Sequence, residues 1–170
     1  MFEMDMIQFK LVHPNARCPQ RGTSHSGAFD IFAPEDGIAM PFERLTVGTG
    51  VAHQISPQFH GLSMPVVEPS NRTNINRFAL FHLQGIMMPR SGLAARHGIR
   101  LFFAPCLIDH DYRGEIKITL ENATREPFVW SAGDRLCQIA YIPHYAGGCQ
   151  VVEHLTETVR GTGGHGSTGK

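Results

Sequence analysis

No apolar run in this chain is long enough to span a bilayer, and no basic, apolar and small-residue signal pattern opens it. No membrane partner is therefore expected. Charge of one sign is missing too, since 15 Lys plus Arg balance 15 Asp plus Glu. That argues against nucleic acid as the main partner, because such binding rests on a basic surface. A small anion needs only a local cluster of donors and stays open. Cysteine is scarce: Cys18, Cys106, Cys137 and Cys149 fit no zinc spacing and contain no C-x-x-C. Free thiols in a reducing, intracellular compartment are the economical reading. Ten histidines include no H-x-x-x-H or H-E-x-x-H, so no protein-ligated metal is assigned. Charged residues make up only 18% against 42% hydrophobic, which indicates a globular chain, and 170 residues fit one domain with a real core.

What the chain does have is alternation. Met6 to Val12 and Ala28 to Ala33 read as strands, and Phe42 to Ile55 as one or two strands broken at Gly48 and Gly50. Phe128 to Trp130 and Leu136 to Pro143 read as further strands, and Val151 with Val152 as a closing element. Prolines and a polar Ser-Asn-Arg-Thr-Asn run make residues 60–84 a predicted surface excursion. Strands with closely spaced turns and a single short helix indicate an all-β jelly roll or barrel.

Four stretches carry chemistry. In Leu107 to Leu120, apolar residues lead into His-Asp-Tyr-Arg-Gly and then resume alternation at Ile116, Ile118 and Leu120. This predicts a β-hairpin whose turn presents Asp109 as a candidate general base and Tyr112 as a stacking platform; a plain solvated turn is the alternative. In Pro89 to Gly98, Ser91 is placed to cap a short helix, with Gly98 at its C′ position. The free N–H groups at such a helix start attract anions. Asp30, a lone carboxylate among apolar neighbours, is either a turn-former or a ligand-facing group. The glycine-rich tail from Arg160 formally matches G-x-G-x-x-G, but it lacks the strand and helix of a dinucleotide site. It is either disordered or a mobile arm that orders over a ligand, with Arg160, Ser167 and backbone donors contacting an anion.

Five stretches together resemble the trimeric dUTPases. They are Gly27 to Ala33, Pro89 to Ala94 with His97-Gly98-Ile99, Ile108 to Glu115, Gly133 to Gln138, and Arg160 to Gly169. The resemblance implies a distorted jelly-roll barrel over residues 1–154 and a mobile arm over 155–170 that closes on the active site. It implies hydrolysis of dUTP to dUMP and pyrophosphate with Mg²⁺, in a homotrimer whose sites are shared between subunits. Asp109 would activate the attacking water, and Tyr112 would pack on the deoxyribose. The backbone near Cys106 and Lys117 would read uracil. Arg90, Ser91, Gly92 and Gln138 would serve the phosphates, and Arg160 the outermost one. His165 would cover the base, with Gly166 and Ser167 beside it in the arm. Asp30 would help build the phosphate–metal region, the metal being held mainly through substrate phosphates.

The chain departs from the family pattern in three places. Phe103 and Cys106 stand where Asn and Gly are usual, His165 stands where Phe is usual, and residues 60–84 look like added sequence. That segment is a candidate surface for a regulatory protein partner, which makes a nucleotide-sensing regulator one rival reading; a virus-encoded protein is compatible with it. The other rival is a dCTP deaminase of the same fold. Its proton-shuttling glutamate would fall at Thr119, and its helix wants an Arg where Ala95 stands.

Overall fold

The computed structural model describes residues 7–56, 62–67 and 73–164, with the backbone alone at 62–67 and 73–80. In chain order the strands are β1 (Ile7–Leu11), β2 (Gln20–Arg21), β3 (Phe29–Phe32), β4 (Gly37–Ala39), β5 (Arg44–Gly48), β6 (Val51–Ile55), β7 (Leu62–Val67) and β8 (Thr73–Pro89). Then come helix α1 (Ser91–His97), β9 (Ile99–Leu101), β10 (Cys106–Ile108), β11 (Lys117–Asn122), β12 (Phe128–Trp130) and β13 (Arg135–Tyr145). The all-β expectation is met. The break expected inside Phe42 to Ile55 falls between β5 and β6, at Thr49 and Gly50.

One sheet runs β10-β8-β13-β3-β2 with β7 attached to β8, and another runs β5-β11-β9. Two strand pairs, β1-β6 and β12-β4, complete the body. The core draws on both larger sheets. Met87, Cys137 and Ile139 come from the first, and Ile99, Ile118 and Leu120 from the second, all at most 3% exposed. Each side chain of that size contributes roughly 1.5–3 kcal/mol on burial. β11 shows how sequence sets the layer: Ile118, Leu120 and Asn122 are buried, while Lys117, Thr119 and Glu121 face outward. Asn122 occupies a core position because all four of its hydrogen-bonding sites are used. Nδ2 donates to the carbonyls of Ala39 and Glu126, and Oδ1 accepts from Thr124 N–H and Oγ1–H.

The structure corrects four expectations. Leu107 to Leu120 is not a paired hairpin. β10 pairs with β8, whereas β11 lies between β5 and β9, so the polar turn crosses from one sheet to the other. Alternation marks strands, not partners, and both edges of β11 are claimed elsewhere at Leu120 and Glu121. Residues 60–84, expected to leave the sheet as a surface excursion, are strand wherever they are described. β7 pairs with the first half of β8, and from Phe81 onward β8 pairs with β13. Ser91 does not cap α1. It is the first helical residue, Arg90 holds the N-cap position, and no side chain caps the helix start. Val151 and Val152 do not close the body, since both are exposed and residues 146–164 form no strand. Gly98 ends α1 as expected, left-handed at φ 62°, a conformation that favours glycine.

Candidate active site

At one place the splayed strands leave a cleft. β10 uses only its β8 edge, and among the described residues Lys117 and Ile118 have no ladder partner opposite β5. Between these free edges lies a narrow cleft of about 10 Å³ lined by Leu101, Phe103, Cys106, Lys117, Ile118 and Thr119. Unpaired backbone on both walls offers donors and acceptors to a flat polar ring. Phe103 and Cys106, two departures from the family pattern, line it, and burial pushes the Cys106 thiol pKa up, keeping it neutral. Thr119 does not hold an acid. Its hydroxyl pairs with that of Thr46 at 3.1 Å.

The turn after β10 is strapped to itself and to β6. Asp109 is exposed, and its carboxylate has no hydrogen-bond partner among the described residues. Its carbonyl accepts from Tyr112 N–H at 3.1 Å and from His53 Nε2 at 3.2 Å. The Tyr112 hydroxyl donates to the Glu115 carbonyl at 2.9 Å, which lays the ring across Gly114. Arg113 donates to the carbonyls of His110 and Tyr112. Glu115 accepts from Gly50 N–H, and Ile116 N–H donates to Val51. The result is a loop braced at several carbonyls that carries a carboxylate unpaired among the described residues.

A second group gathers where β3, β8 and β13 run side by side. Asp30, its side chain 14% exposed, takes Arg90 Nε on one oxygen at 3.0 Å and Arg135 Nη1 on the other at 3.2 Å. Gln138 stands opposite Asp30 across the ladder, and its Nε2 donates to the Pro89 carbonyl at 3.1 Å. Ser91 and Gly92 follow Arg90 into the uncapped start of α1, where N–H groups remain free. Burial, reinforced by the charge of Asp30, pushes the neighbouring Cys137 thiol far up, so it stays neutral. The alternatives left open for Asp30 narrow here: it braces two guanidiniums.

Arg160 sits apart, exposed in a turn closed by Gly163 N–H to the Arg160 carbonyl at 3.0 Å. His165, Gly166 and Ser167 lie outside the described residues. The structure thus brings Cys106, Lys117, Asp109 and Tyr112 into one region, and Asp30, Arg90, Ser91, Gly92 and Gln138 into another. Arg135, His53 and Tyr141 went unassigned in the sequence. A signal existed for His53, a polar residue sharing the inward alternation of Val51 and Ile55.

Comparison with known proteins gives a consistent result. The family model described as dUTPase matches residues 66–169. The chain is 35% identical to the deoxyuridine 5'-triphosphate nucleotidohydrolase of Nautilia profundicola, over 96% of this chain and 99% of that protein. It is 36% identical to the protein of the same name from Wolinella succinogenes, over 100% of this chain and 99% of that one. Among solved structures it resembles a Staphylococcus bacteriophage 80alpha dUTPase mutant solved with dUpNHpp, at TM-score 0.76 and 20% identity, covering 98% of this chain and 100% of the other. It also resembles a phage phi11 dUTPase in which coordination of a structural Mg(II) ion is described, at TM-score 0.68 and 20% identity, covering 88% and 98%. These likenesses place the chain in the distorted jelly-roll fold.

Proposed function

The chain belongs to the dUTPase family, and from that premise we propose how its residues divide the work of hydrolysing dUTP. The reaction turns dUTP and water into dUMP and pyrophosphate. A water oxygen bonds to the α-phosphorus, and the bond from that phosphorus to the bridging oxygen breaks. Pyrophosphate leaves with the electron pair, and the water proton passes to the Asp109 carboxylate. The observation that carries this assignment is the state of Asp109: its carboxylate is exposed and without a hydrogen-bond partner among the described residues, while its main chain is held from two sides. A base so placed can take a water without first breaking an ion pair.

Around it the roles follow from position. The unpaired edges near Cys106 and Lys117 read the uracil, and Tyr112 packs on the deoxyribose and excludes a 2′-hydroxyl. Arg90, Arg135, Gln138 and the N–H groups at Ser91 and Gly92 receive the phosphates. Arg160 neutralises the outermost one, and His165, Gly166 and Ser167 cover the nucleotide as the arm closes. Mg²⁺ suits this arrangement as an ion carried by the substrate. Each Asp30 oxygen is engaged by a guanidinium, so the oxygens left for a hard cation are those of the triphosphate. When bound, Mg²⁺ supplies neutralisation of phosphate charge. Asp30 acts indirectly, by holding the two arginines in line.

A homotrimer with shared sites is supported by the register. Ile108, next to Asp109, stands opposite Gly85, five residues before Arg90. At about 3.3 Å per residue that separates the base from the phosphate group of the same chain by roughly 17 Å. An α-phosphate beside Asp109 therefore takes its arginines from another copy. A regulatory partner at the β7–β8 arm is a further proposal, supported by the arm's attachment through β8 alone among the described residues.

The test compares dUTP, dCTP, dTTP and UTP as substrates for pyrophosphate release. Release from dUTP far above the others is expected. Ammonia from dCTP would favour the deaminase reading, which the Thr119–Thr46 hydroxyl pair argues against.

A further inference from the structure

We propose that His53 and Tyr141 are positioning residues for Asp109, clamping its peptide unit from the core so that the carboxylate keeps its aim. The proposal rests on the assignment of Asp109 as the base. His53 lies on β6 and Tyr141 on β13, with ring centroids 5.7 Å apart and planes within 30°. The Asp109 carbonyl can only accept, so His53 donates to it from Nε2–H at 3.2 Å. In a neutral imidazole Nδ1 is then an acceptor, and the Tyr141 hydroxyl, 2.8 Å away, donates to it. The chain of donors runs one way, from Tyr141 O–H to His53 to the Asp109 carbonyl. A protonated His53 would present N–H to Tyr141 instead and reverse that bond.

The surroundings keep this order. His53 is 2% exposed, and burial lowers its pKa from the ordinary histidine value; the bond to the Asp109 carbonyl opposes that shift, and the charges of Arg113 and His110 add to it. Lys10 and Arg113 line the surface beside it, and Phe9 faces it across the β1–β6 ladder. Tyr141 packs against the rings of Phe9 and Phe29, each 6.4 Å away, which support it beside His53. Tyr112 N–H bonds the same carbonyl from the turn side. Without His53 the carbonyl keeps only that local contact, and the peptide can rotate. A misplacement of about 1 Å at a reacting group costs roughly 10²-fold in rate.

The test is steady-state dUTP hydrolysis and binding of a non-hydrolysable dUTP analogue for His53→Phe, His53→Gln, Tyr141→Phe and Asp109→Asn, together with the His53→Phe/Asp109→Asn pair. His53→Phe should lower kcat about 10- to 100-fold with analogue affinity unchanged. His53→Gln, which can both donate and accept, should recover most of that loss. In the Asp109→Asn background His53→Phe should cost less than about twofold, because a residue that acts through Asp109 has nothing left to position. If His53→Phe fails to fold, Tyr141→Phe removes a single oxygen and carries the same comparison, with a loss of about 3- to 10-fold expected and none in the Asp109→Asn background. Equal losses in both backgrounds, or an unchanged kcat, overturn the proposal while leaving Asp109 as the base. Near-normal turnover by Asp109→Asn alone overturns the base assignment and the clamp with it.

Discussion

Replacing Gly114 by Ala should disarm Tyr112 while leaving the body folded. A Cβ built at Gly114 lies 2.4 Å from the Tyr112 hydroxyl oxygen, 2.6 Å from Cζ and 3.1 Å from Cε2. Carbon contacts are comfortable only from about 3.5 Å, so the ring must withdraw by roughly 1 Å. It has room to do so, because Tyr112 is 43% exposed. The fold therefore loses little more than the Tyr112 hydroxyl bond to the Glu115 carbonyl, worth about 0.5–1.5 kcal/mol. For a chain of this size that is a fall of about 1–6 °C in Tm. The proposed contact of Tyr112 with the sugar suffers more. Losing a well-placed aromatic contact of about 0.5–1.5 kcal/mol lowers kcat/KM for dUTP roughly 2- to 10-fold. UTP, no longer excluded by the ring, should lose nothing or gain, so the dUTP to UTP ratio narrows. The assay is kcat/KM on both nucleotides beside a thermal melt. An unchanged ratio would refute the role of Tyr112, and a melt lowered by more than about 10 °C would show Gly114 to be a folding residue instead.

Asn122→Leu strips partners from the Ala39 and Glu126 carbonyls and from Thr124 at the edge of the core, and should cost about 1–3 kcal/mol in urea unfolding; a loss under about 0.5 kcal/mol would contradict the Asn122 network. Asp30→Asn releases Arg90 and Arg135 from their shared carboxylate and should raise KM for dUTP about tenfold with a small change in Tm, whereas unchanged kinetics would remove Asp30 from the phosphate site. His53 supplies a pH dependence. Its folded pKa is lowered from 6.5 by burial, so between 6.5 and that lower value the unfolded chain binds more protons. Stability should therefore be fully present above 6.5 and fall as the pH drops from there through the lowered folded value. Thermal melts of His53→Gln should show a shallower acid slope; an identical slope would place the titration elsewhere.

The local punctuation of the chain was readable before the fold was. Gly48 and Gly50 flank the break between β5 and β6, and Gly98 ends α1, because each acts within a few residues of itself. The turn from Asp109 to Tyr112 was readable for the same reason, though not the sheets it joins. Pairing was not, since strand partners and ion pairs lie far apart along the chain. Asp30 meets Arg90 across 60 residues and Arg135 across 105. Nothing local to Leu107 to Leu120 says that β5 and β9 will claim both edges of β11 and open the cleft. The pattern could mark His53 as an inward polar residue, but its link to Asp109 appears only when β6 is laid beside the turn, 56 residues on.

The most direct measurement is dUTP turnover by Asp109→Asn, with pyrophosphate release and nucleotide binding followed on the same preparation. The substitution keeps the shape of the side chain and removes the group that takes the water proton. A general base contributes about 10²- to 10⁴-fold, so kcat should fall by that factor while the affinity for a non-hydrolysable dUTP analogue stays close to that of the unaltered protein. Turnover within a few-fold of the unaltered rate would contradict the assignment of Asp109 as the base.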